Sequence, residues 1–240
     1  MVDWSRFQAV LFDLDGVLTD TASIHATAWK EAFDGFLRRT QGDGFVPFDA
    51  TSDYLRYVDG RPRFEGVDAF LRARDISLPW GEATDRPGDD TVCSVGNLKN
   101  ELVGRVLAER GVTPYPGSIH LIRKLADQGL HLAVVTSSAN AQAVLTAAGI
   151  SELFEVRVDG QVAAALGLKG KPHPDPFLEA ARRLQVPPAA AVVVEDATSG
   201  VKSGKAGHFG LVIGVARHGN GSELTEAGAD LVVEDLGELV

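Results

Sequence analysis

Five short apolar runs recur along the chain, and most of the segments between them have the spacing of amphipathic helices. The runs cover residues 8–13, 131–136, 191–194, 210–215 and 230–233. Helical spacing is clearest over residues 118–128, 139–148, 174–184 and 198–206. Short apolar strands that alternate with helices are typical of a parallel sheet covered on both faces. The sequence therefore predicts an α/β fold built on a mostly parallel sheet.

Residues 21–107 interrupt this alternation. An amphipathic helix is predicted over residues 23–39, with Thr21 and Ser23 as candidate caps, and further helices are predicted around 66–73 and 98–110. No convincing strand is found in this stretch, which is otherwise polar and punctuated by glycine and proline. We therefore expect an α/β core formed by residues 1–20 and 108–240, with an α-helical domain of residues 21–107 inserted after the first strand.

The charge balance limits the classes of partner. The 240 residues include 23 Lys and Arg against 33 Asp and Glu, a net charge of −10. Such a chain is not attracted to nucleic acid or to anionic membranes, so a small molecule is the expected partner. One cysteine, Cys93, suits a reducing compartment, and the N-terminal residues lack the features of a signal peptide. We expect a cytoplasmic monomer or weak homo-oligomer.

The residues next to the predicted strands are polar and chemically alike. They comprise Asp13, Asp15, Thr136, Ser137, Ser138, Glu195 and Asp196, with Lys171 in the loop before the third run. Each loop alone has a plainer interpretation: a turn, a helix cap or a solvated side chain. Parallel sheets bind ligands at the carboxyl ends of their strands, however, and four acids in one crevice require a cation. Oxygen ligands favour Mg²⁺.

Phosphoryl transfer through an aspartyl-phosphate is the reaction that these residues favour. Asp13 is the candidate nucleophile once a cation and Lys171 neutralise the phosphate oxygens. Thr136 and the backbone N–H of Ser137 are expected to hold the same oxygens. Asp15 is the candidate general acid and base. The Lys171-Pro172 bond could be cis and so place the ammonium, although a plain loop bend is the simpler alternative.

Four motifs in this order resemble the haloacid-dehalogenase (HAD) superfamily of phosphotransferases. They are Asp13-Leu-Asp-Gly-Val, Thr136-Ser-Ser, Lys171-Pro and Glu195-Asp. The longer run over residues 12–30 looks more narrowly like the β-phosphoglucomutase family, which interconverts β-D-glucose 1-phosphate and glucose 6-phosphate. The resemblance spans most of the chain and implies a Rossmann-like core with a mobile helical cap inserted after the first strand.

The resemblance also implies roles for individual residues. Asp13, Asp15 and His25 would be catalytic, and Asp13, the carbonyl of Asp15, Glu195 and Asp196 would bind Mg²⁺. Thr136, Ser137 and Lys171 would bind the transferred phosphoryl group. Substrate-binding residues would be Thr21, Gly60, Arg61, Arg63, Lys99, Ser138, Ala139 and Asn140, with Asn100 beside Lys99. The implied cofactors are Mg²⁺ and glucose 1,6-bisphosphate, an intermediate that is released and bound again in the opposite orientation.

Two departures from the family pattern bear on the substrate. Asp59 stands where a basic residue is expected, and additional polar sequence occurs over residues 39–52 and 78–92. A bisphosphate intermediate needs a cation at each end. Lys171 could serve one end and Arg63 and Lys99 the other, which favours a mutase. A HAD phosphatase acting on a sugar phosphate or phosphoglycolate remains the main alternative. More distant alternatives are a phospho-receiver domain, a dinucleotide-binding domain and a non-catalytic sugar-phosphate sensor.

Overall fold

The structure, a computed structural model, describes residues 2–217 and 219–240. Contacts divide the chain into two compact units. The core unit comprises the chain up to Asp20 together with Val112–Val240, and the inserted unit comprises Thr21–Gly111. The boundary expected after residue 107 lies inside a helix that continues to Arg110, so the observed division falls after Gly111.

The helices are numbered in chain order. They are α1 (Ala22–Gln41), α2 (Arg63–Arg72), α3 (Val92–Arg110), α4 (Pro116–Asp127), α5 (Ala141–Ala147), α6 (Gly160–Leu166), α7 (Asp175–Leu184), α8 (Thr198–Ala206) and α9 (Gly221–Glu226). Within the described residues, none of them combines the length and the apolar character needed to cross a bilayer.

The core unit is built on a parallel sheet. In chain order the strands are β1 (Ala9–Phe12), β2 (His131–Val135), β3 (Val156–Val158), β4 (Ala191–Glu195), β5 (Leu211–Val215) and β6 (Leu231–Val233). They lie in the order β3-β2-β1-β4-β5-β6, and every neighbouring pair is parallel. All residues of β1 and β4 are buried, as expected for central strands covered on both faces. The predicted α/β fold with a Rossmann-like parallel sheet is confirmed.

Three short elements of the core unit were not expected from the sequence. β3 has only three residues, and its Val-Arg-Val sequence carries a charge at its centre because the strand lies at the edge of the sheet. α6 is rich in alanine and lacks a polar face, and α9 has only six residues. α6 begins where the Asp159 carboxylate accepts hydrogen bonds from the N–H groups of Gln161 and Val162.

Aromatic side chains form the core of the inserted unit. The ring of Phe33 lies 5.1 Å from Trp29, 5.1 Å from Phe48 and 4.2 Å from Phe70, measured between ring centroids. Trp29 and Phe33 come from α1 and Phe70 from α2, so the cluster joins the two helices. No strand is found among residues 21–111, in agreement with the expectation from sequence.

α3 begins earlier than the sequence pattern indicated. The expected start was residue 98, but the helix begins at Val92. Thr91 caps it, because its hydroxyl accepts a hydrogen bond from the N–H of Ser94 at 3.0 Å. Gly96 and Asn97, two residues of low helix propensity, lie near the start of α3, and the sequence pattern therefore placed the start after them.

Candidate active site

The strand register brings three of the predicted motifs to one edge of the sheet. Phe12, the last residue of β1, is aligned with Val134 of β2 and with Val194 of β4. The predicted site residues that follow these positions are Asp13, Thr136 and Glu195. The N–H of Asp13 donates to the carbonyl of Val194 at 2.9 Å, which extends the pairing of the strands by one residue. Parallel strands therefore deliver these side chains to the same end of the sheet.

Lys171 joins two of the carboxylates. Its ammonium donates to Asp13 Oδ1 at 2.6 Å, to Glu195 Oε1 at 2.5 Å and to the carbonyl of Val135 at 3.0 Å. All three N–H donors of the ammonium therefore have partners. The Lys171 side chain is only 1% exposed, and its Nζ lies 4.9 Å from the ring centroid of Phe177. The predicted nucleophile and the predicted phosphate-binding lysine are thus in direct contact.

Burial and crowding of charge control the ionisation of this cluster. Burial raises the pKa of Asp13 to about 8; Lys171 opposes this shift, and Glu195 and Asp15 add to it. For Lys171, burial alone favours the neutral amine, but Asp13 and Glu195 outweigh it and raise the pKa above its ordinary value. Lys171 is therefore an ammonium ion, and a single positive charge does not fully compensate the acids around it.

Asp15 lies next to the Thr-Ser-Ser motif. The hydroxyl of Thr136 donates to Asp15 Oδ2 at 3.4 Å and accepts a hydrogen bond from the N–H of Ser138 at 3.1 Å. The hydroxyl of Ser138 accepts one from the N–H of Asn140 at 3.2 Å. The motif thus folds into a compact turn that precedes α5. Ser137 and Ala139 lie in this turn. Gly160 lies against this turn and donates its N–H to the carbonyl of Ser138 at 2.9 Å.

Asp196 lies against the loop that carries Asp15. A Cβ added at Gly16 would be 1.9 Å from Asp196 Oδ2, so only glycine fits this approach. Gly16 also has a φ of +83°, in the left-handed region. Gly200 serves the neighbouring acid in the same way, because a Cβ there would overlap the carboxylate of Glu195. The two glycines allow both predicted acids to pack against backbone.

The predicted magnesium ligands offer only oxygen atoms, which suits a hard divalent cation. Burial first, and the nearby acids Glu195 and Asp15 second, raise the pKa of Asp13, so a cation bound beside it would favour its carboxylate form. Within residues 2–217 and 219–240, however, no three His, Cys, Asp or Glu side chains already converge on one metal position. Both oxygens of Glu195 accept protein hydrogen bonds, from Lys171 and from the N–H groups of Asp196 and Ala197. The donor set thus fits Mg²⁺ in chemistry, while the ligand role of Glu195 stays a prediction.

The loop that carries Lys171 is fixed by local contacts. The Lys171-Pro172 peptide bond is cis. The N–H of His173 donates to the carbonyl of Gly170 at 3.0 Å, and the hydroxyl of Ser203 donates to the carbonyl of His173 at 2.7 Å. α7 begins two residues later, at Asp175. The buried lysine therefore stands on a short loop that hydrogen bonds hold in place, although Pro172 and His173 in the same loop are exposed.

Two predicted residues of the inserted unit, His25 and Lys99, are in contact. The Lys99 ammonium is 2.7 Å from His25 Nδ1, and its Nζ lies 4.9 Å from the ring centroid of Trp29. Both polar side chains are buried. An ammonium group has donors only, so Nδ1 accepts and the imidazole carries its hydrogen on Nε2. The imidazole of His25 is thus oriented by Lys99, which lies on α3.

Arg63 begins α2 and contacts neutral partners. Its Nη2 donates to Asn97 Oδ1 at 2.9 Å, and its guanidinium carbon lies 4.5 Å from the ring centroid of Phe64. The amide of Asn97 also donates to the carbonyls of Ala83 and Asp85, at 3.1 and 2.8 Å. Asn97 therefore ties Arg63 to the loop over residues 78–92. Partial burial lowers the pKa of Arg63, but a guanidinium remains charged at any physiological pH.

The remaining predicted residues of the inserted unit lie in turns. Gly60, with a φ of +64°, and the exposed Arg61 form the turn that leads into α2, and the N–H of Arg61 donates to the carbonyl of Val58 at 3.2 Å. Thr21 is buried and precedes α1, where its carbonyl accepts a hydrogen bond from the N–H of His25 at 2.9 Å. Their roles in substrate binding remain predictions.

Asn97 was not identified from the sequence. A helix predicted to begin at residue 98 excluded it, whereas the observed α3 includes it two residues before Lys99. A capping threonine at position 91 was the available signal for an earlier start. The partner of a site residue is otherwise set by tertiary placement, which spacing does not show.

The chain resembles known proteins over almost its whole length. A model of haloacid dehalogenase-like hydrolases matches residues 7–208. The chain is similar to a β-phosphoglucomutase of Mycobacterium bovis, with 46% identity over 98% of this chain and 92% of that protein.

Two solved structures resemble the chain as a whole. A β-phosphoglucomutase of Clostridium difficile has a TM-score of 0.78 and 26% identity, covering 98% of this chain and 93% of that one. CbbY of Rhodobacter sphaeroides, in complex with xylulose-(1,5)bisphosphate, has a TM-score of 0.74 and 27% identity, covering 97% and 96%. The family resemblance drawn from the four motifs is thereby confirmed. This chain belongs to the haloacid dehalogenase-like family and is an enzyme of its phosphotransferase and phosphatase type, for which dependence on Mg²⁺ is typical.

Proposed function

We propose that this enzyme is a β-phosphoglucomutase that interconverts β-D-glucose 1-phosphate and glucose 6-phosphate. The observation that carries the phosphoryl-transfer chemistry is the contact of Lys171 with Asp13 and Glu195 at the end of the sheet. The choice of a mutase is supported by the 46% identity to a protein of that name over nearly the whole chain. The contacts of Arg63 with the amide of Asn97 and the ring of Phe64, which leave its charge uncompensated, support it further.

Asp13 is the proposed nucleophile. One of its carboxylate oxygens forms a bond to phosphorus while the bond from phosphorus to the sugar oxygen breaks, which leaves an aspartyl-phosphate. Lys171 is within hydrogen-bond distance of Asp13 and carries a fixed charge, so it can bind the phosphoryl oxygens as they approach. Thr136 and the N–H of Ser137 provide further donors at the same strand end.

Asp15 is the proposed general acid and base. As an acid it gives its proton to the departing sugar oxygen, and as a base it removes the proton of the hydroxyl that next attacks the aspartyl-phosphate. Its contact with Thr136 at 3.4 Å orients the carboxyl group. Because one residue gains and loses a single proton in turn, the cycle is balanced without any other group.

Asp13, the backbone carbonyl of Asp15, and Asp196 would hold Mg²⁺, with Glu195 beside them. When bound, the ion neutralises charge on the phosphoryl oxygens. The protein contributes the acids, and the packing of Asp196 against Gly16 keeps the carboxylates close to the loop of Asp15.

The inserted unit supplies the proposed selectivity for a sugar over water. A glucose 1,6-bisphosphate intermediate carries a second phosphate, which Arg63 is proposed to bind, with Lys99 as a further cation. His25 is proposed to orient the reacting hydroxyl. Binding of a remote phosphate can be used to align that hydroxyl and to exclude water.

A sugar-phosphate phosphatase is the second candidate. The family model that matches residues 7–208 is one of hydrolases, which supports this alternative. Both functions share the aspartyl-phosphate, and they differ in whether a sugar hydroxyl or water attacks it next.

A coupled assay separates the two candidates. The enzyme is supplied with β-D-glucose 1-phosphate, Mg²⁺ and a trace of glucose 1,6-bisphosphate, and glucose 6-phosphate and inorganic phosphate are followed together. A mutase gives glucose 6-phosphate at a rate far above that of free phosphate. Release of phosphate at an equal or higher rate would contradict the proposal and favour a phosphatase.

A further inference from the structure

Arg217 lies outside all four motifs, yet it binds the backbone of the loop that carries Asp15. Its Nε donates to the carbonyl of Gly16 at 2.9 Å, and its Nη2 lies 3.4 Å from the carbonyl of Val17. The residue follows β5, about 200 positions later in the chain. One guanidinium therefore contacts two consecutive carbonyls immediately after the predicted general acid.

The orientation of this guanidinium is fixed on its other sides. Nη1 donates to Asp235 Oδ2 at 2.5 Å, and the guanidinium carbon lies 3.6 Å from the ring centroid of Tyr115. The Arg217 side chain is 10% exposed. A planar guanidinium held by a carboxylate at one edge and an aromatic ring on one face has little freedom to rotate.

Ser118 provides a second contact to the same loop. Its hydroxyl donates to the carbonyl of Val17 at 2.7 Å and accepts a hydrogen bond from Arg217 Nη2 at 3.0 Å. Ser118 is fully buried and lies in α4. The carbonyl of Val17 is thus held by a connected pair of donors.

The loop gains a defined shape from these contacts. Gly16 has a φ of +83° and packs against Asp196 Oδ2, so its two peptide planes set the direction of the chain between Asp15 and Val17. Within the loop, the N–H of Gly16 donates to the carbonyl of Thr19 at 2.8 Å. A glycine is otherwise the residue with the greatest backbone freedom, so an external constraint on its carbonyl has a large effect.

We propose that Arg217 is a positioning residue, which fixes the peptide that follows Gly16 and thereby the position of Asp15 relative to Asp13 and Asp196. The proposal deepens the proposed function, because it rests on the roles of Asp15 and Asp196 in phosphoryl transfer. It does not depend on whether a sugar or water accepts the phosphoryl group.

A purely structural role makes a different prediction. If Arg217 only anchored the C-terminal segment around Asp235 to the rest of the core unit, loss of the ion pair at either end would have the same effect. Arg217→Gln removes the contacts to Gly16 and Val17, whereas Asp235→Asn keeps Arg217 and an acceptor oxygen. Arg183→Gln is a matched control, because it removes an arginine bonded to Glu179 at 2.7 Å in α7.

The experiment compares Arg217→Gln, Arg217→Lys, Asp235→Asn and Arg183→Gln with the unmodified enzyme. Hydrolysis of p-nitrophenyl phosphate gives kcat and KM, and calorimetric titration of the metal-free protein gives the Kd for Mg²⁺. Hydrogen exchange of residues 14–19 reports on the loop itself, and it is measured whether or not the enzyme proves to be a mutase.

For Arg217→Gln we expect kcat to fall roughly 100-fold with KM changed less than about threefold, since a misplacement of about 1 Å has that effect on turnover. Mg²⁺ should bind about tenfold more weakly, as is usual when a residue that orients a ligand is lost. Exchange over residues 14–19 should be faster. Arg217→Lys should recover part of kcat, and Asp235→Asn and Arg183→Gln should retain most of it.

Two results would overturn the proposal. One is an Arg217→Gln enzyme with unchanged kcat, Mg²⁺ affinity and exchange or, where that variant does not fold, an Arg217→Lys enzyme in which all three are unchanged. The other is an equal loss in Asp235→Asn. If Arg217→Gln does not fold, Arg217→Lys gives the decision. Failure of the mutase assay alone would contradict the proposed function and leave these outcomes unaffected.

Discussion

Two cations with predicted phosphate-binding roles lie in opposite electrostatic surroundings. In the core unit, Lys171 is almost completely buried and contacts the carboxylates of Asp13 and Glu195. In the inserted unit, Arg63 is partly exposed and contacts the amide of Asn97 and the ring of Phe64. The first cation is compensated by protein charge, whereas the amide and the ring that contact the second are neutral.

The difference follows from what each site must do before a ligand arrives. A buried ammonium without counter-charges would lose its proton or destabilise the fold, so Lys171 needs its acids. A half-buried arginine stays charged without a carboxylate, and an amide and an aromatic face orient it without neutralising it. The full charge of Arg63 is therefore available to an anion that comes and goes. This property is expected of a group that binds the non-reacting phosphate of a bisphosphate intermediate that is released and bound again in the opposite orientation.

The largest expected effect concerns the core cluster. Asp13→Asn keeps the size of the side chain and removes the nucleophile, so turnover of every phosphate ester should fall more than about 10³-fold. Parallel assays of β-D-glucose 1-phosphate conversion and p-nitrophenyl phosphate hydrolysis check this. Asp68→Asn, in an exposed pair with Arg72 on α2, is the matched control and should keep its activity. Retained turnover in the first variant would remove the aspartyl-phosphate from the mechanism.

The second prediction tests the compensation of Lys171. Lys171→Met leaves two buried carboxylates side by side, which should lower the free energy of unfolding by about 3–5 kcal/mol at pH 8. The pKa of Asp13 is already raised to about 8, so the folded state holds a proton that the unfolded state releases near pH 4. Stability of the metal-free protein should therefore fall as the pH rises from about 4 to 8.

In Lys171→Met, loss of the ammonium should make the stability of the metal-free protein fall more steeply as the pH rises. The variant and the unmodified protein should differ least near pH 5 and most near pH 8, as measured by urea unfolding in the presence of a chelator. A difference that is independent of pH would show that the two acids do not depend on Lys171 for their charge.

The third prediction concerns a substitution that gives Arg63 a carboxylate partner, such as Lys171 has in the core unit. Asn97→Asp replaces the neutral acceptor of Arg63 by a carboxylate and should weaken mutase activity about tenfold, because a neutralised arginine binds a phosphate less well. Hydrolysis of p-nitrophenyl phosphate, which has no second phosphate, should stay within about twofold. Asn97→Ala frees the arginine without neutralising it and separates loss of charge from loss of orientation. Equal losses in both assays would show that Arg63 does not act on a remote phosphate.

The sequence predicted which residues form the core cluster better than it predicted the hydrogen bonds that these residues make. Apolar runs that end abruptly in polar residues identify strand ends, so Asp13 and Glu195 could be assigned to one edge of the sheet before the fold was known. The hydrogen bonds that occupy both oxygens of Glu195 could not be predicted, because they depend on the turn into α8. A motif thus gives the kind of group that is present, and the fold decides what that group is free to bind.

The inserted unit was less predictable for a different reason. Its helices lack the regular alternation of the core unit, and its aromatic core joins residues that are far apart, such as Phe33 and Phe70. Asn97 contacts the predicted site residue Arg63, and Arg217 contacts the loop after Asp15. Both contacts have a long sequence separation, which a single sequence does not show. Both were therefore found only from the structure.

The smallest expected effect concerns an inverse arrangement in the core unit, where one carboxylate lies between two guanidiniums. Arg182 and then Arg183 bond to Glu179 and lower its pKa to about 2. A carboxylate with a lowered pKa stabilises the fold above its ordinary pKa near 4.5, and this contribution is lost as the pH falls toward 2. Glu179→Gln should therefore lower the free energy of unfolding by about 1 kcal/mol at pH 7 and by almost nothing near pH 2, because both arginines remain close to solvent.

Thermal unfolding across this pH range checks the sign of the effect. Glu155→Gln, which loses an exposed pair with His131, is the control. A cost that persists at pH 2 would show that Glu179 stabilises α7 through packing, so that only the Lys171 cluster, and not charge pairing in general, distinguishes the core unit from the inserted one.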